Sequence, residues 1–357
     1  MEQNRKINWK DLGKRTAGTI AIPLLFFVVL FSICLGNGRM LISSSAGLIS
    51  FLVSVTTITI TTMALSINLN SGRFDFSLGS MSVLAMILSS KIVYPLLGGG
   101  TGSAILMLLF SVIIGAVLGL ISGGIYCLLR IPPIITSLAI TLIFEGISFT
   151  LTGGSYVMDE VRGSSMSFFF GQWWAILLLL AIAMAFVIFM FDHTSFGYRY
   201  QSLRTGQKLA VNQGIKEIPN ALACYGICGG LMGIVGFLQA GITTSVNGGS
   251  LNFASIAIMF TAFLPMFIGG YIGRFSNDKL GYFLAGLSMG MLNAFFSTFH
   301  NEIDVSVQSI INAVLLVLFL IYLANEQKII GWFKKLLSKK NMRRQNKTKE
   351  SCHEKHL

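Results

Sequence analysis

The sequence predicts an all-α, polytopic membrane protein of about ten transmembrane helices, arranged as two inverted five-helix halves. Three observations lead there. Of 357 residues, 54% are hydrophobic and 11% charged, with a mean hydropathy of +0.74, whereas soluble chains carry about 25% charged residues. The apolar residues gather into runs close to the ~20 residues needed to cross the hydrocarbon core. The basic residues between those runs lie almost entirely on alternate connections, as the positive-inside bias requires.

The runs extend from Gly18 to Gly36, Leu41 to Ile67, Phe76 to Leu97, Ala104 to Leu129, Pro133 to Leu151, Trp173 to Phe191, Asn220 to Gly241, Phe253 to Tyr271, Leu280 to Thr298 and Val305 to Leu323. The first follows a short leader, 1–17, and has no small-residue cleavage site, so it reads as an uncleaved helix rather than a signal peptide. A charged, glycine-containing stretch, SGRFDFSLGS from Ser71, separates the second from the third. The fifth carries Glu145 in mid-span, where a carboxylate is costly unless it faces the interior or a cavity. The sixth opens on Trp173 and Trp174, an interfacial aromatic pair. The longest inner connection, Asp192 to Pro219, leads to the seventh, and a glycine-rich stretch after Asn247 leads to the eighth. The tenth ends in a basic tail, 324–357. The membrane region is therefore 18–323, with halves of about 18–151 and 173–323.

The net charge of +12 would suggest nucleic acid on a soluble domain, but its placement makes it topological. With the N-terminus inside, 23 of the 26 Lys and Arg residues fall on inner segments, and only Arg39, Lys91 and Arg162 lie outside. Both termini are then cytoplasmic, and the tail rests against anionic lipid headgroups rather than nucleic acid. The five cysteines include Cys224 and Cys228, four apart in an apolar run without a second ligand pair. No metal site follows from them.

An internal echo supports the two halves. Asn70-Ser-Gly-Arg-Phe-Asp-Phe-Ser77 matches Asn247-Gly-Gly-Ser-Leu-Asn-Phe-Ala254 at Asn, Gly and Phe, and Asp75 answers to Asn252. Each stretch interrupts two spans, the first on the inner side and the second on the outer side. Five spans per half inverts the second copy, and matched interruptions in inverted repeats point to a transport path.

Asp75 precedes an apolar helical run, so its carboxylate is placed to accept the free N–H groups of the first turn. Ser77 shares that turn, and Gly72 and Gly79 permit close backbone approach. Capping and a place on a solute path are both open to Asp75; Glu145 is either a protonated acid hydrogen-bonded between helices or a functional group, and Ser77, Gly72, Gly79, Asn247 and Asn252 are further candidates for the path. In the inner loop 192–219, the short amphipathic stretch GQKLAVNQGI is bounded by Gly206 and Gly214. It is too short to hold as an isolated helix and needs a surface to rest on. That surface is either the membrane or a partner protein. Phe168, Phe169 and Phe170 in an outer loop dip into the interface or dock a partner.

SGRFDFSLGSMSVLAMILSS resembles the glycine, Asp, Ser, Gly signature, of the form GGxDLSVGS, in permease subunits of ribose-type ATP-binding cassette (ABC) importers. IPPIITSLAITLIFEGISFTLTGGSYV and HTSFGYRYQSLRTGQKLAVNQGIKEIPNALACYGICGGLMGIVGFLQAG are similar to later stretches of that family, so the resemblance runs from about Leu41 to Leu323. It implies a permease for a sugar or related small polar solute, working by alternating access. The implied partners are a second permease, identical or not, an extracytoplasmic solute-binding protein, and an ATPase subunit. That ATPase would hold ATP and magnesium, with no cofactor on this chain. The resemblance also makes Gly206, Gln207, Leu209, Ala210, Gly214 and Ile215 the contact with the ATPase.

The chain departs from the family pattern. Glu145 stands where an arginine is usual, Leu251 and Asn252 replace an acidic pair, and Phe74 and Phe76 replace smaller aliphatic residues. The segment FLPMFIGGYIGRFSND keeps Gly269, Gly270 and Gly273 without the family's polar residues. No G-x-x-x-x-G-K-[ST] pattern occurs, so ATP-driven work needs another chain. A proton-coupled secondary transporter using Glu145 is the alternative. An integral membrane enzyme is less favoured, because His193, His300, His353 and His356 do not converge with acids.

Overall fold

The computed structural model describes residues 9–163, 172–326 and 328. The Phe168–Phe170 cluster and nearly all of the basic tail lie outside the described residues. Among the described residues, ten spans are long and apolar enough to cross a membrane. The first five are helices α1 (Trp9–Gly36), α2 (Ser45–Asn70), α3 (Leu78–Leu97), α4 (Thr101–Leu129) and α5 (Pro133–Thr152). Strand β1 (Tyr156–Val157) and helix α6 (Asp159–Gly163) follow. Then come α7 (Trp173–Asp192), α8 (Ser195–Thr205), α9 (Gln207–Asn212), α10 (Glu217–Thr243), β2 (Val246–Asn247), α11 (Ile256–Phe260), α12 (Phe263–Gly273) and α13 (Asp278–Thr298). The last span, Val305–Glu326, belongs to a compact unit beginning at Asp304 and is described by itself. All that follows concerns the unit ending at Ile303.

Local signals start and stop these helices. The hydroxyls of Ser44 and Thr194 accept from the amides of Gly47 and Gly197, and the Asn277 side chain accepts from Lys279 N, each satisfying an otherwise orphaned first-turn donor. Proline at the first position opens α5, where its missing N–H costs nothing.

Two boundaries differ from those the sequence predicts. Helix α1 begins at Trp9, inside the expected leader, although the apolar span within it begins only at Arg15. The run expected to be continuous from Phe253 to Tyr271 is instead two helices, α11 and α12, separated at Thr261 and Ala262. Pro265 accounts for the break, because its ring clashes with the carbonyl four residues earlier and it offers no donor.

The tightest packing runs along α4 and α10. A Cβ on Gly115 would lie 2.3 Å from the Gly229 carbonyl oxygen, one on Gly119 2.2 Å from that of Tyr225, and one on Gly233 2.2 Å from that of Ser111. The two backbones therefore touch along a glycine seam, which suits a membrane interior where dispersion rather than water exclusion joins helices. Ser111 Oγ donates across the seam to Gly233 O at 2.8 Å.

The packing pairs follow the expected correspondence of halves. Helix α10 packs on α4 as α2 packs on α13, α3 on α4 as α12 on α13, and α10 on α3 as α2 on α12. Strands β1 and β2 pair antiparallel, Tyr156 with Asn247 and Val157 with Val246, and tie the connection after α5 to the connection after α10.

Gly119→Leu or Gly229→Leu should force α4 and α10 apart. The expected result is a fall in detergent-extractable folded protein and a lowered unfolding temperature, whereas Gly124→Leu, whose Cβ would meet nothing within 4 Å, should leave both unchanged.

Candidate functional site

Asp75 lies between α2 and α3 and is fully buried. Its Oδ1 accepts from Ser77 N at 2.9 Å and Ser77 Oγ at 2.6 Å, and its Oδ2 from Asn68 Nδ2 at 3.4 Å. Ser77 Oγ is also 3.3 Å from Ser122 Oγ of α4. Ser122 precedes the end of α4 at Leu129 by seven residues, or about 10 Å of helix, so α3 starts well inside the bundle.

The second interruption is built the same way with a borrowed acid. Glu145 of α5 is buried. Its Oε2 accepts from Phe253 N at 2.9 Å, and its Oε1 accepts from Ser255 N at 2.9 Å and Ser255 Oγ at 2.6 Å. These donors belong to the turn that opens α11. Asn252 and Phe253 in that turn have φ of 60° and 66°, a conformation costly for a bulky residue, and the Glu145 carboxylate pins it. Glu145 precedes the end of α5 at Thr152 by seven residues, again about 10 Å of helix. The two helix starts thus enter from opposite ends of the bundle.

They meet. A Cβ on Gly79, in the first turn of α3, would lie 1.9 Å from the Ser255 carbonyl oxygen, so only glycine allows this contact. Four rings close one side of the junction. Phe74 lies 4.5 Å from Phe76 and 5.7 Å from Phe263, Phe260 lies 5.3 Å from Phe263, and Phe76 lies 6.2 Å from Phe260, between ring centroids.

The remaining expected residues are dispersed. Gly72, at φ 75°, turns the chain out of α2 in open space. Asn247 is exposed, and its side chain accepts from Gly249 N at 2.9 Å. Asn252 is exposed and adopts the left-handed turn instead of donating a carboxylate.

A cavity of about 1060 Å³ opens at the end of the bundle where α1 stops and α2 starts. Ser50, Ser54, Thr57, Gln239, Thr261 and Asn293 are among its lining residues, and Asn293 Nδ2 donates to Ser54 Oγ at 2.9 Å. None of the transport-path candidates expected from the sequence lines it. The available signal was the polar content of α2 and α13, which a purely lipid-facing helix would not carry.

At the opposite end, α8 and α9 cover the starts of α10 and α13. Tyr200 is buried and donates to Ile67 O at 2.9 Å; burial pushes its hydroxyl well above the usual phenol range, so it stays a neutral donor. Burial pulls the Arg204 guanidinium down, but the hydrogen bond and charge of Asp278, 3.1 Å away, outweigh it and hold it above its ordinary value. Lys279 pairs with Asp192. On α9, Leu209 and Val211 are exposed. Ala210, expected on the same outward contact, is buried against the chain itself, because a helix of one and a half turns cannot show consecutive residues on one face. Gly206 ends α8 and precedes Gln207, the first residue of α9, Ile215 is partly buried, and Gly214 takes φ 86° to end the turn.

Residues 47–323 match the family model for the branched-chain amino acid transport system / permease component, and the chain belongs to that family. Among similar curated proteins is the autoinducer 2 import system permease protein LsrC of Yersinia pseudotuberculosis serotype O:1b (strain IP 31758), 28% identical over 223 residues, covering 59% of this chain and 60% of the relative. Proteins of the same name from Yersinia pestis, strains Pestoides F and Angola, are 27% identical over the same coverage. The matched region thus spans 60% of these relatives' length. No solved structure gives a significant match.

Removing the Glu145 cap should loosen α11. Glu145→Ala is expected to lower stability by about 2 kcal/mol, the order of a charged hydrogen-bonding group lost from a buried cap, measured by thermal unfolding in detergent. Glu145→Gln, which still accepts, should lose less. Asp75→Ala and Asp75→Asn should differ in the same direction.

Proposed function

We propose that this chain is the transmembrane permease subunit of an ABC importer for a sugar or related small polar solute, driven by a separate ATPase subunit that holds ATP and magnesium. Family membership is the observation that carries the reading. The relatives named as autoinducer 2 import permeases support it and make autoinducer 2 and ribose the first solutes to try.

The cavity supports a polar solute, because hydroxyl and amide groups both donate and accept, and Arg39, which also lines it, has its charge paired with Glu302. The charge distribution puts α8 and α9 in the cytoplasm, where Leu209 and Val211 offer an apolar surface for the ATPase, and puts the cavity outside, where a binding protein would deliver solute. Both termini are then cytoplasmic, and a second permease, identical or related, completes the assembly. Glu145, the expected proton site of a secondary transporter, is occupied by three donors at the start of α11, which favours a positioning role.

Two measurements test this. Proteoliposomes holding the chain with its ATPase, its partner permease where one is required, and its binding protein should accumulate autoinducer 2 or ribose only with ATP. Accumulation by the chain alone under a pH gradient would overturn the importer reading. Leu209→Asp should lower co-purification of the ATPase about tenfold, the scale of one lost apolar anchor in an interface, without moving the unfolding temperature.

A further inference from the structure

Glu217, in the first turn of α10, stands between the cytoplasmic helix α9 and the interrupted start of α3. Its Oε1 accepts from Nε2 of Gln207, the first residue of α9, at 2.6 Å. The same oxygen lies 3.8 Å from Nη2 of Arg73. Arg73 is buried, with its side chain 4% exposed. Its Nη1 has no hydrogen-bond partner, and Glu217 is its only acidic partner within 4 Å among the described residues. Tyr126, Cys127 and Cys224 are among its other polar neighbours.

A buried guanidinium is strongly destabilised when its counter-charge leaves. If Glu217 moves, Arg73 must follow or stand uncompensated. Arg73 has little slack, since its amide donates to Asn68 O at 3.0 Å and the Asn68 side chain donates to the Asp75 carboxylate. Asp75 caps α3, whose Gly79 rests on the Ser255 carbonyl. A dipole contact alone would explain a glutamate in the first turn of α10, but not one oxygen shared between a surface helix and a buried cation.

We propose that Glu217 is a positioning residue for transport: it transmits displacement of α9 to Arg73, and so to the junction of the two helix starts. This rests on the importer reading, and it gives the α9 contact a route into the membrane domain. The element with two arrangements is the 71–77 segment, held at one end by Glu217 and at the other by the α3 cap.

The test reads conformation rather than transport. Ser50→Cys places a thiol on the exposed wall of the cavity, and its reaction rate with a membrane-impermeant maleimide is measured in the reconstituted complex with and without ATP and vanadate. In that background ATP should change the rate. Adding Glu217→Gln should shrink the ATP-dependent change about fivefold or more, the lower range of a coupling energy, while ATP hydrolysis continues. Arg73→Met with Glu217→Gln removes the stranded charge; it should restore thermal stability and leave the change lost. Gln207→Ala, a surface substitution on the other side of the same link, should weaken the change when the response is normalised to co-purified ATPase.

An unchanged ATP response in Glu217→Gln or Gln207→Ala would overturn the proposal. So would recovery of the full response in the double variant, because Glu217 would then be only a counter-ion. No response to ATP in the Ser50→Cys background would instead overturn the importer reading beneath it.

Discussion

The membrane domain is organised around one backbone contact, the Gly79 backbone against the Ser255 carbonyl, where two helix starts meet inside the bundle. A helix start carries orphaned N–H groups and the positive end of a dipole. Two such ends brought together repel one another and expose donors where no water is available. The structure resolves this by giving each start a buried carboxylate, Asp75 for α3 and Glu145 for α11. Irregular backbone is tolerated at membrane depth only when it is covered in this way.

The two acids do the same work by different routes. Asp75 lies in the chain it caps, two residues before Ser77, whereas Glu145 reaches across from α5 to a turn more than a hundred residues later. The second arrangement follows from the local sequence. Asn252 occupies the position that answers to Asp75, and its exposed side chain in a left-handed turn supplies no carboxyl acceptor to the helix start. Glu145 compensates from outside, and this accounts for a carboxylate in mid-span that the family pattern does not lead one to expect. Neither acid lines the polar cavity, whose walls carry hydroxyls and amides instead.

Much of the fold was legible because hydrophobic run length is a strong local signal: all ten spans lie where the runs are, with boundaries displaced by a few residues at most sites. The capping geometry of Asp75 was legible for the same reason, since a cap acts over two or three residues. What the sequence could not show were contacts between distant segments. Glu145 reads as an isolated charge until Ser255 is beside it, and Arg73 reads as a topological cation until its burial against Glu217 is seen. The cavity was hidden because its lining is spread over α2, α10 and α13, with one to three polar residues on each. The break after α11 lay in plain view at Pro265, but hydropathy averages over a single proline.

The aromatic substitutions around Asp75 fit this scheme once the second half is in place. Phe74 and Phe76 stand where the resemblance leads one to expect smaller aliphatic residues, and both pack against rings of the second half, Phe263 and Phe260. Offset and tilted ring contacts add to the burial of apolar area, so the cluster joins the two interruptions on the side the carboxylates leave uncovered. The junction is then held by carboxyl acceptors at its helix starts and by rings along its flank. These differ physically: hydrogen bonds fix where each helix begins, whereas ring packing tolerates sliding. A domain that must change shape without opening a water path needs both. The Asp75 bonds lie within the turn between α2 and α3, whereas the Glu145 bonds tie the start of α11 to α5, so a shift along the phenylalanine cluster carries α11 and α5 together.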